Sequence, residues 1–510
     1  MGRSFRGDSQ GNSRHQVACL HAVIVLSYHM IQSRQFQVDA QRQINTLLNA
    51  KRHPVYLAPC GTGKTYTAAA IIKDRIYLNR RVFVLVPQVE IFDEWMRVLS
   101  EFGLNPGYIN DEGIRGKDRG VYVCMALSLI NIIGVLPESL YPDEIITDEM
   151  QHSLADSWEQ IYGFFHNATR LGLTATLYHG SLRSFEHLYT DVVQTISKSH
   201  AIAGSWITKP LLMIPELYAP DVPMNGADFD MEVQADLLGK PQIVGDVIDF
   251  YERTFEGRCV IVPCCTFEHA QQMKEAFNAK GWVFEHIHSA LSKHERKRIL
   301  RLIRAGQVNG ICTVGIGIEG LSIPGLWGVL WLRRTLSPII WTQFNGRAER
   351  LVEGKDHYIC ADFVGNSVLH GMPDRDLSWT LEQEDVQPND EDVDRSALQI
   401  CPVCGVVNSS LNTICHFCGA NIDDAERAGQ KPQRIPAYVD GNLVVLDSNG
   451  YSPEGEHAQR TNDIKAAQAQ ARKAEPIREI GAHEKAQILH KNLFAGNRRK
   501  LFAETLKDWI

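Results

Sequence analysis

The chain has no run of eighteen uncharged apolar residues, so no membrane-spanning helix is expected. The nearest candidate, residues 18 to 31, is short and contains His21 and His29. Basic residues precede it (Arg3, Arg6 and Arg14), but no small-residue cleavage site follows, so a signal peptide is not expected and a cytoplasmic location is. Excess positive charge is also missing: 52 Lys and Arg stand against 60 Asp and Glu, a net charge of −8. This deficit does not exclude a nucleic-acid partner. Nine acidic residues against two basic ones lie between Asp374 and Arg395, and removing them leaves about −1 for everything else, so a basic groove is still allowed. A disulfide framework is absent too. Eight of the twelve cysteines stand singly or in one adjacent pair, several in apolar runs such as that ending at Cys264, and read as buried thiols of a reducing compartment.

What is present is ordinary globular material, 44% hydrophobic and 22% charged, with a length of 510 residues that suits three or four domains. From about 34 to 210, short β-branched runs alternate with helical patterns; Val82–Val86, Val121–Val123 and Glu144–Thr147 are the clearest strands. The alternation resumes with Arg258–Val262, Gly310–Thr313 and Gly328–Trp331. Such alternation predicts α/β units with parallel sheets. The expected organisation is an N-terminal extension over 1–33, read as an appendage or a misassigned start. Two α/β domains follow over 34–215 and 216–370, then an acidic, solvated linker over 371–399. A cysteine module occupies 400–420, and the tail over 421–510 holds a short strand pair near Tyr438 to Leu446 before a slightly basic, helical part from about 460.

The first chemical signal is Cys60-Gly61-Thr62-Gly63-Lys64-Thr65, which follows an apolar strand and precedes a helix. Glycines let backbone N–H groups approach phosphate oxygens, and the helix N-terminus favours an anion there. Lys64 would meet the β and γ phosphates of ATP, and Thr65 would hold Mg²⁺. Ala58 stands where the usual pattern opens with Gly. A lone Gly-Lys-Thr could be a structural turn, but Asp148 and Glu149 end an apolar strand about 80 residues later. Two carboxylates suit the two tasks of hydrolysis: Asp148 to hold the metal, Glu149 to polarise the attacking water.

The order of these motifs resembles the superfamily 2 helicases, the branch with a DEAD/DEAH-type box and a restriction-enzyme-type motor, over about residues 34 to 370. Arg34-Gln35-Phe36-Gln37 resembles the family's upstream adenine-reading segment, with Gln37 as the contact. Leu171 to Thr176 resembles the motif that links hydrolysis to domain movement. His286-Ile287-His288-Ser289 with Arg296 resembles a nucleic-acid-facing segment, and Thr313 through Pro324 the motif after it. Gln343 to Arg350 matches the family's Gln-x-x-Gly-Arg-x-x-Arg box in full. Its guanidiniums would stabilise the charge that spreads over a transferring phosphoryl group, Arg350 as the finger and Arg347 beside it. The spelling departs from many relatives at Gln151 (His or Asp), Leu177 (Pro) and Ser322 (a carboxylate). The resemblance implies two tandem RecA-like domains with ATP and Mg²⁺ in the cleft.

Cys401-x-x-Cys404 and Cys415-x-x-Cys418 form two knuckles ten residues apart. Four thiolates and no open position describe a structural Zn²⁺ site, with His416 a bystander; a redox dithiol pair or an iron–sulfur cluster are the alternatives. The expected function is an ATP-dependent DNA helicase or translocase, DNA being favoured over RNA by the restriction-enzyme-like spelling. The zinc ribbon or tail is expected to recruit a replication or repair partner. An RNA helicase, a duplex translocase without strand separation, and a nucleic-acid-binding scaffold with a vestigial motor are the other readings.

Overall fold

A computed structural model of the protein describes residues 33–178, 183–215, 222–226, 228–315, 323, 325–377, 379–382, 398–401, 403, 406–409, 413–415, 419–422, 437–439 and 442–444. The N-terminal extension up to residue 32, residues 316–322 and 324 of the motif after Thr313, Cys404, Cys418 and the tail beyond 444 lie outside them. Among the described residues, no helix is long and apolar enough to cross a membrane.

The first sheet holds eight strands: β1 (Pro54–Leu57), β2 (Val82–Val86), β3 (Gly107–Asn110), β4 (Gly113–Arg115), β5 (Val121–Met125), β6 (Glu144–Asp148), β7 (Thr169–Thr174) and β8 (Asp191–Val193). Their spatial order is β4-β3-β5-β2-β6-β7-β1-β8, parallel except for the β3–β4 pair. β1 and β2 are buried at every position, because helices cover both faces of the sheet; this is why they read as unbroken apolar runs instead of alternating ones. β7 lies between β6 and β1, pairing Ile146 with Leu171 and Tyr56 with Leu173. Three motifs distant in the chain therefore leave one edge of the sheet side by side. A buried ion pair fixes the frame: Arg75, at the end of the helix Lys64–Tyr77, donates from Nε to both Glu144 oxygens at 2.8 Å. Its Nη1 also donates to Asn49 Oδ1 at 2.7 Å.

The second sheet is wholly parallel and contains β9 (Lys209–Met213), then β12 (Cys259–Cys264), β13 (Phe284–Ile287), β14 (Gly310–Val314), β15 (Leu326–Trp331) and β16 (His357–Asp362), in the order β13-β14-β12-β15-β16-β9. A small hairpin, β10 (Met224–Asn225) with β11 (Asp228–Phe229), stands apart from it. The second unit thus starts by Lys209, earlier than the expected boundary at 216. β9 is an edge strand whose partner, β16, is nearly 150 residues away, and its apolar run reads equally well as the end of the first unit.

The acidic linker also needs correction. Its first part, 371–382, is a strap that returns to the first domain. Asp376 Oδ1 accepts the backbone N–H groups of Lys198 and Ser199 at 2.6 and 3.1 Å, and Lys198 Nζ donates to Pro373 O at 2.6 Å. Leu381 O accepts from Phe185 N at 2.9 Å, and Trp379 and Leu381 pack against the first core. Two apolar side chains in a charged stretch explain the docking: they find a hydrophobic surface that the charge count conceals.

Beyond the strap, β17 (Leu398–Ile400) and β18 (Val407–Ser409) form an antiparallel pair, and Val406 bridges to Met213 on the open edge of β9. Val407 is buried in the second domain's core, so the cysteine module is seated on the motor. β19 (Ala437–Val439) and β20 (Asn442–Val444) pair antiparallel, in the region where a strand pair is expected.

Candidate nucleotide site and nucleic-acid face

The loop after β1 turns on glycine. Gly63 has φ of +88°, a region that side chains rarely adopt, and a Cβ there would lie 2.8 Å from Gln37 Nε2. That amide donates to Thr62 O at 3.0 Å, while Gln37 Oε1 accepts from Arg34 N at 2.9 Å, so Gln37 ties the upstream segment to the loop. Phe36 lies against Trp206, with ring centroids 4.8 Å apart, and the Arg34 guanidinium sits 5.8 Å from that indole. Lys64, first residue of its helix, folds back across the loop, with Nζ donating to Ala58 O at 3.0 Å. Those carbonyls are weak partners that a phosphate would outcompete. Thr65 is the second helical residue and is half-buried.

Asp148 ends β6. Its Oδ2 accepts from Trp95 Nε1 at 2.8 Å and its Oδ1 from Glu149 N at 3.0 Å. Burial pushes its carboxyl up to about 7, neighbouring Glu149 adds to this, and the Trp95 hydrogen bond opposes it. Glu149 stands at φ of +51°, a left-handed backbone conformation that costs a non-glycine residue about 1–3 kcal/mol. Glu149 Oε2 accepts from Gln151 Nε2 at 2.9 Å. Gln151 Oε1 lies 3.4 Å from the Thr174 hydroxyl, which also lies 2.7 Å from Thr176 O. The carboxylate pair on β6 and the segment after β7 are therefore joined by one amide.

The second domain closes on the loop through the helix Pro338–Ala348. A Cβ on Gly346 would lie 2.6 Å from Cys60 Cβ, so only glycine lets this helix rest on the loop tip. Arg350 follows directly, and its Cγ lies 3.6 Å from the position of a Cβ on Gly61. Burial lowers the Arg350 pKa, as does the charge of Arg347, while Glu94 and Glu149 act in the opposite sense. Between these arginines, Glu349 is buried and pairs with Lys198 Nζ of the first domain at 2.5 Å. Glu349 O also accepts from Thr208 N at 2.8 Å. Lys198 thus holds both the arginine-bearing turn and the strap. The structure brings Gln37, residues 60–65, Asp148, Glu149, Arg347 and Arg350 into one cleft region. Sequence reasoning missed Trp95, Lys198, Glu349 and Asp376. Trp95 reads only as an apolar helix position, and nothing local marks the other three.

A crevice of about 610 Å³, measured out to its open mouth, lies between the loop residues Ala58–Cys60, Ala175, Trp341 and the strap. Across another part of the cleft, Arg296 Nε donates to Glu90 Oε1 at 2.7 Å, joining the first turns of helices from the two domains. Of the cysteine module, Cys401 and Cys415 are buried together with Ile422. Their backbones match: Cys401 N donates to Val406 O and Cys415 N to Ala420 O, both at 2.8 Å and both five residues on. Asn408 Nδ2 lies 3.5 Å from Cys415 Sγ. Among the described residues no complete set of metal ligands is found, since Cys404 and Cys418 lie outside them.

These units define a class. Residues 30–179 match the family described as type III restriction enzyme, res subunit, and residues 239–352 match the helicase conserved C-terminal domain. The chain belongs to the superfamily 2 helicases of the restriction-enzyme type, an ATP-hydrolysing, nucleic-acid-directed motor. Among its relatives, a 51.5 kDa protein of a Lactococcus phage is 24% identical, over 83% of this chain and 90% of that one. The Saccharomyces cerevisiae helicase candidate IRC3 is 24% identical over 50% of this chain and 39% of its own length. Of solved structures, the type ISP restriction-modification enzyme LlaBIII bound to DNA matches with a TM-score of 0.48 and 17% identity. That match covers 65% of this chain and 28% of the enzyme.

Proposed function

We propose that the protein is an ATP-dependent DNA translocase that separates strands. The observation that carries this reading is the meeting of Gly346 and Arg350 of the second domain with Cys60 and Gly61 of the first. A phosphate cradle completed by a charge from another domain makes hydrolysis depend on closure, and closure is what moves a strand. Lys64 and the backbone of residues 60–65 would hold the phosphates, with Gln37 reading the base. Thr65 and Asp148 supply the oxygen donors that suit Mg²⁺, whose chemistry is to neutralise phosphate charge. Glu149 would take the proton of the attacking water, and Arg350, with Arg347, would stabilise the transferring phosphoryl group. DNA is favoured over RNA because the motifs are spelled as in restriction enzymes.

The knuckle geometry of Cys401 and Cys415 and the Asn408 contact to sulfur fit thiolates of a structural Zn²⁺ site with Cys404 and Cys418. Seated against β9, that module would be part of the motor's second domain and a surface for a replication or repair partner.

The deciding experiment is ATPase activity with single-stranded DNA, duplex DNA and RNA as activators, alongside two variants. Lys64→Ala should lose ATP binding, whereas Glu149→Gln should keep binding and lose turnover. Wild-type turnover in Glu149→Gln would remove Glu149 from its role, and activation by RNA alone would replace DNA as the substrate. Stimulation by duplex without strand separation would favour the pure translocase.

A further inference from the structure

Four buried hydroxyls form a chain in the first domain, beside the turn that carries Asp148 and Glu149. Thr147 Oγ1 lies 2.8 Å from Tyr162 Oη, Tyr162 Oη 3.1 Å from Ser153 Oγ, and Ser153 Oγ 2.9 Å from Tyr189 Oη. Thr147 immediately precedes Asp148 on β6, and Ser153 lies in the short helix Met150–Leu154 that follows Glu149. Tyr162 belongs to a different element, the helix Asp156–Phe164. Its phenol oxygen therefore bonds to both ends of the segment 148–152.

That segment needs holding. Glu149 stands at φ of +51°, and a non-glycine residue stays in that region only where its surroundings fix it. Trp95 holds the Asp148 carboxylate from outside the segment. The hydrogen bonds of Glu149 to Asp148, Gln151 and His152, by contrast, lie within it and move with it. Gln151 reaches out to Thr174 at 3.4 Å, but the Tyr162 contacts are shorter and grip both ends.

The anchor is itself fixed. Tyr162 lies in the first core, and the Arg170 guanidinium sits 5.6 Å from its ring centroid. Arg170 is buried in turn and donates from Nε to Leu188 O at 3.1 Å. A network of buried hydroxyls favours one arrangement, because any other leaves a polar group unpaired away from water.

We propose that Tyr162 is a positioning residue for hydrolysis: by tying Thr147 to Ser153 it holds Glu149 in its left-handed conformation, and so sets where that carboxylate stands toward the attacking water. This rests on the reading of Glu149 as the group that takes the proton of that water, and deepens it. The bland account of the same hydroxyls is that they satisfy one another and contribute to folding stability alone.

Steady-state ATPase kinetics of the full chain, with a melting curve for each variant, separate the two. Tyr162→Phe keeps the ring and removes the oxygen. Its kcat should fall about 10- to 100-fold, the cost of a misplaced reacting group, while KM and the affinity for a non-hydrolysable ATP analogue hold within about twofold. Thr147→Val, an isostere that cuts the tie at its other end, should show the same split and serves where Tyr162→Phe does not fold. Tyr189→Phe, which removes the far end of the chain, should lower the melting temperature and keep kcat. In Glu149→Gln, adding Tyr162→Phe should cost no further rate, because the group it steers is gone. Wild-type kcat in Tyr162→Phe, an equal kcat loss in Tyr189→Phe, or a parallel loss of kcat and analogue affinity would each overturn the positioning role while leaving Glu149 in its own. Wild-type turnover in Glu149→Gln would overturn the reading of Glu149 and the positioning role with it.

Discussion

Gln151 joins Glu149 to the end of β7: its Nε2 donates to Glu149 Oε2 at 2.9 Å, and its Oε1 faces the Thr174 hydroxyl at 3.4 Å. Many relatives place His or Asp here. A carboxylate could not donate to Glu149, whereas the amide both donates and accepts. Gln151→Leu should therefore leave Glu149 unsteered and lower the hydrolysis rate about 10- to 100-fold, the cost of a misplaced reacting group. Binding of a non-hydrolysable analogue should change little. Parallel loss of analogue affinity and thermal stability would make Gln151 a packing residue instead.

Arg350 sits beside Gly61 in the loop after β1 but belongs to the other domain. Arg350→Ala should reduce turnover by about three orders of magnitude or more, the usual scale for an arginine finger, while analogue affinity changes much less. Arg350→Lys should not rescue it, because an ammonium cannot reproduce a planar, forked donor. Affinity that collapsed together with turnover would mark a ground-state contact.

The strap makes a prediction about where the motor ends. A chain stopped after Gly371 loses Asp376, Trp379 and Leu381, which cap Lys198 and Ser199 and pack on the first core. A chain stopped after Glu382 keeps them. The shorter protein should be less stable by about 2–4 kcal/mol, the scale of losing large half-buried apolar side chains, when both are unfolded in urea. Asp376→Ala in the full chain should cost about 1 kcal/mol, as for a lost helix cap. Equal midpoints for the two truncated chains would show that the strap contributes nothing.

Burial holds the His269 imidazole near 4, below its ordinary 6.5, and its Nδ1 accepts the Cys265 N–H. A base whose pKa is depressed on folding contributes stability that is present above 6.5 and is lost as pH falls through the folded value. From pH 7 to 4 this one residue should remove up to about 3 kcal/mol. His269→Asn, which keeps an acceptor but cannot be protonated, should flatten that part of the profile. His53, also lowered to about 4 by burial and then by Arg170 and Arg52, acts in the same direction and would remain. Identical losses of melting temperature in wild type and His269→Asn would exclude His269 as a source.

The sequence by itself determined the chemical parts. A phosphate cradle, the role proposed for residues 60–65, needs consecutive backbone N–H groups and glycine conformations, so such a segment is contiguous and legible in the chain. The same holds for Asp148-Glu149 at the end of a buried strand and for Gly346 and Arg347 on one helix with Arg350 just past its end. Tertiary structure alone decided which parts meet. β7 lies between β6 and β1, and that placement puts Thr174 beside Gln151 and both beside the loop. β9 joined the second sheet because its backbone pairs with β16 and Leu212 enters the second core, and both partners are distant in the chain. The strap read as solvated because charge is counted along the chain, whereas Trp379 and Leu381 respond to a surface assembled from residues between Val55 and Tyr189. Lys198 and Glu349 show the same limit: each is an ordinary charged residue in sequence, and only burial against the other makes them a joint between the domains.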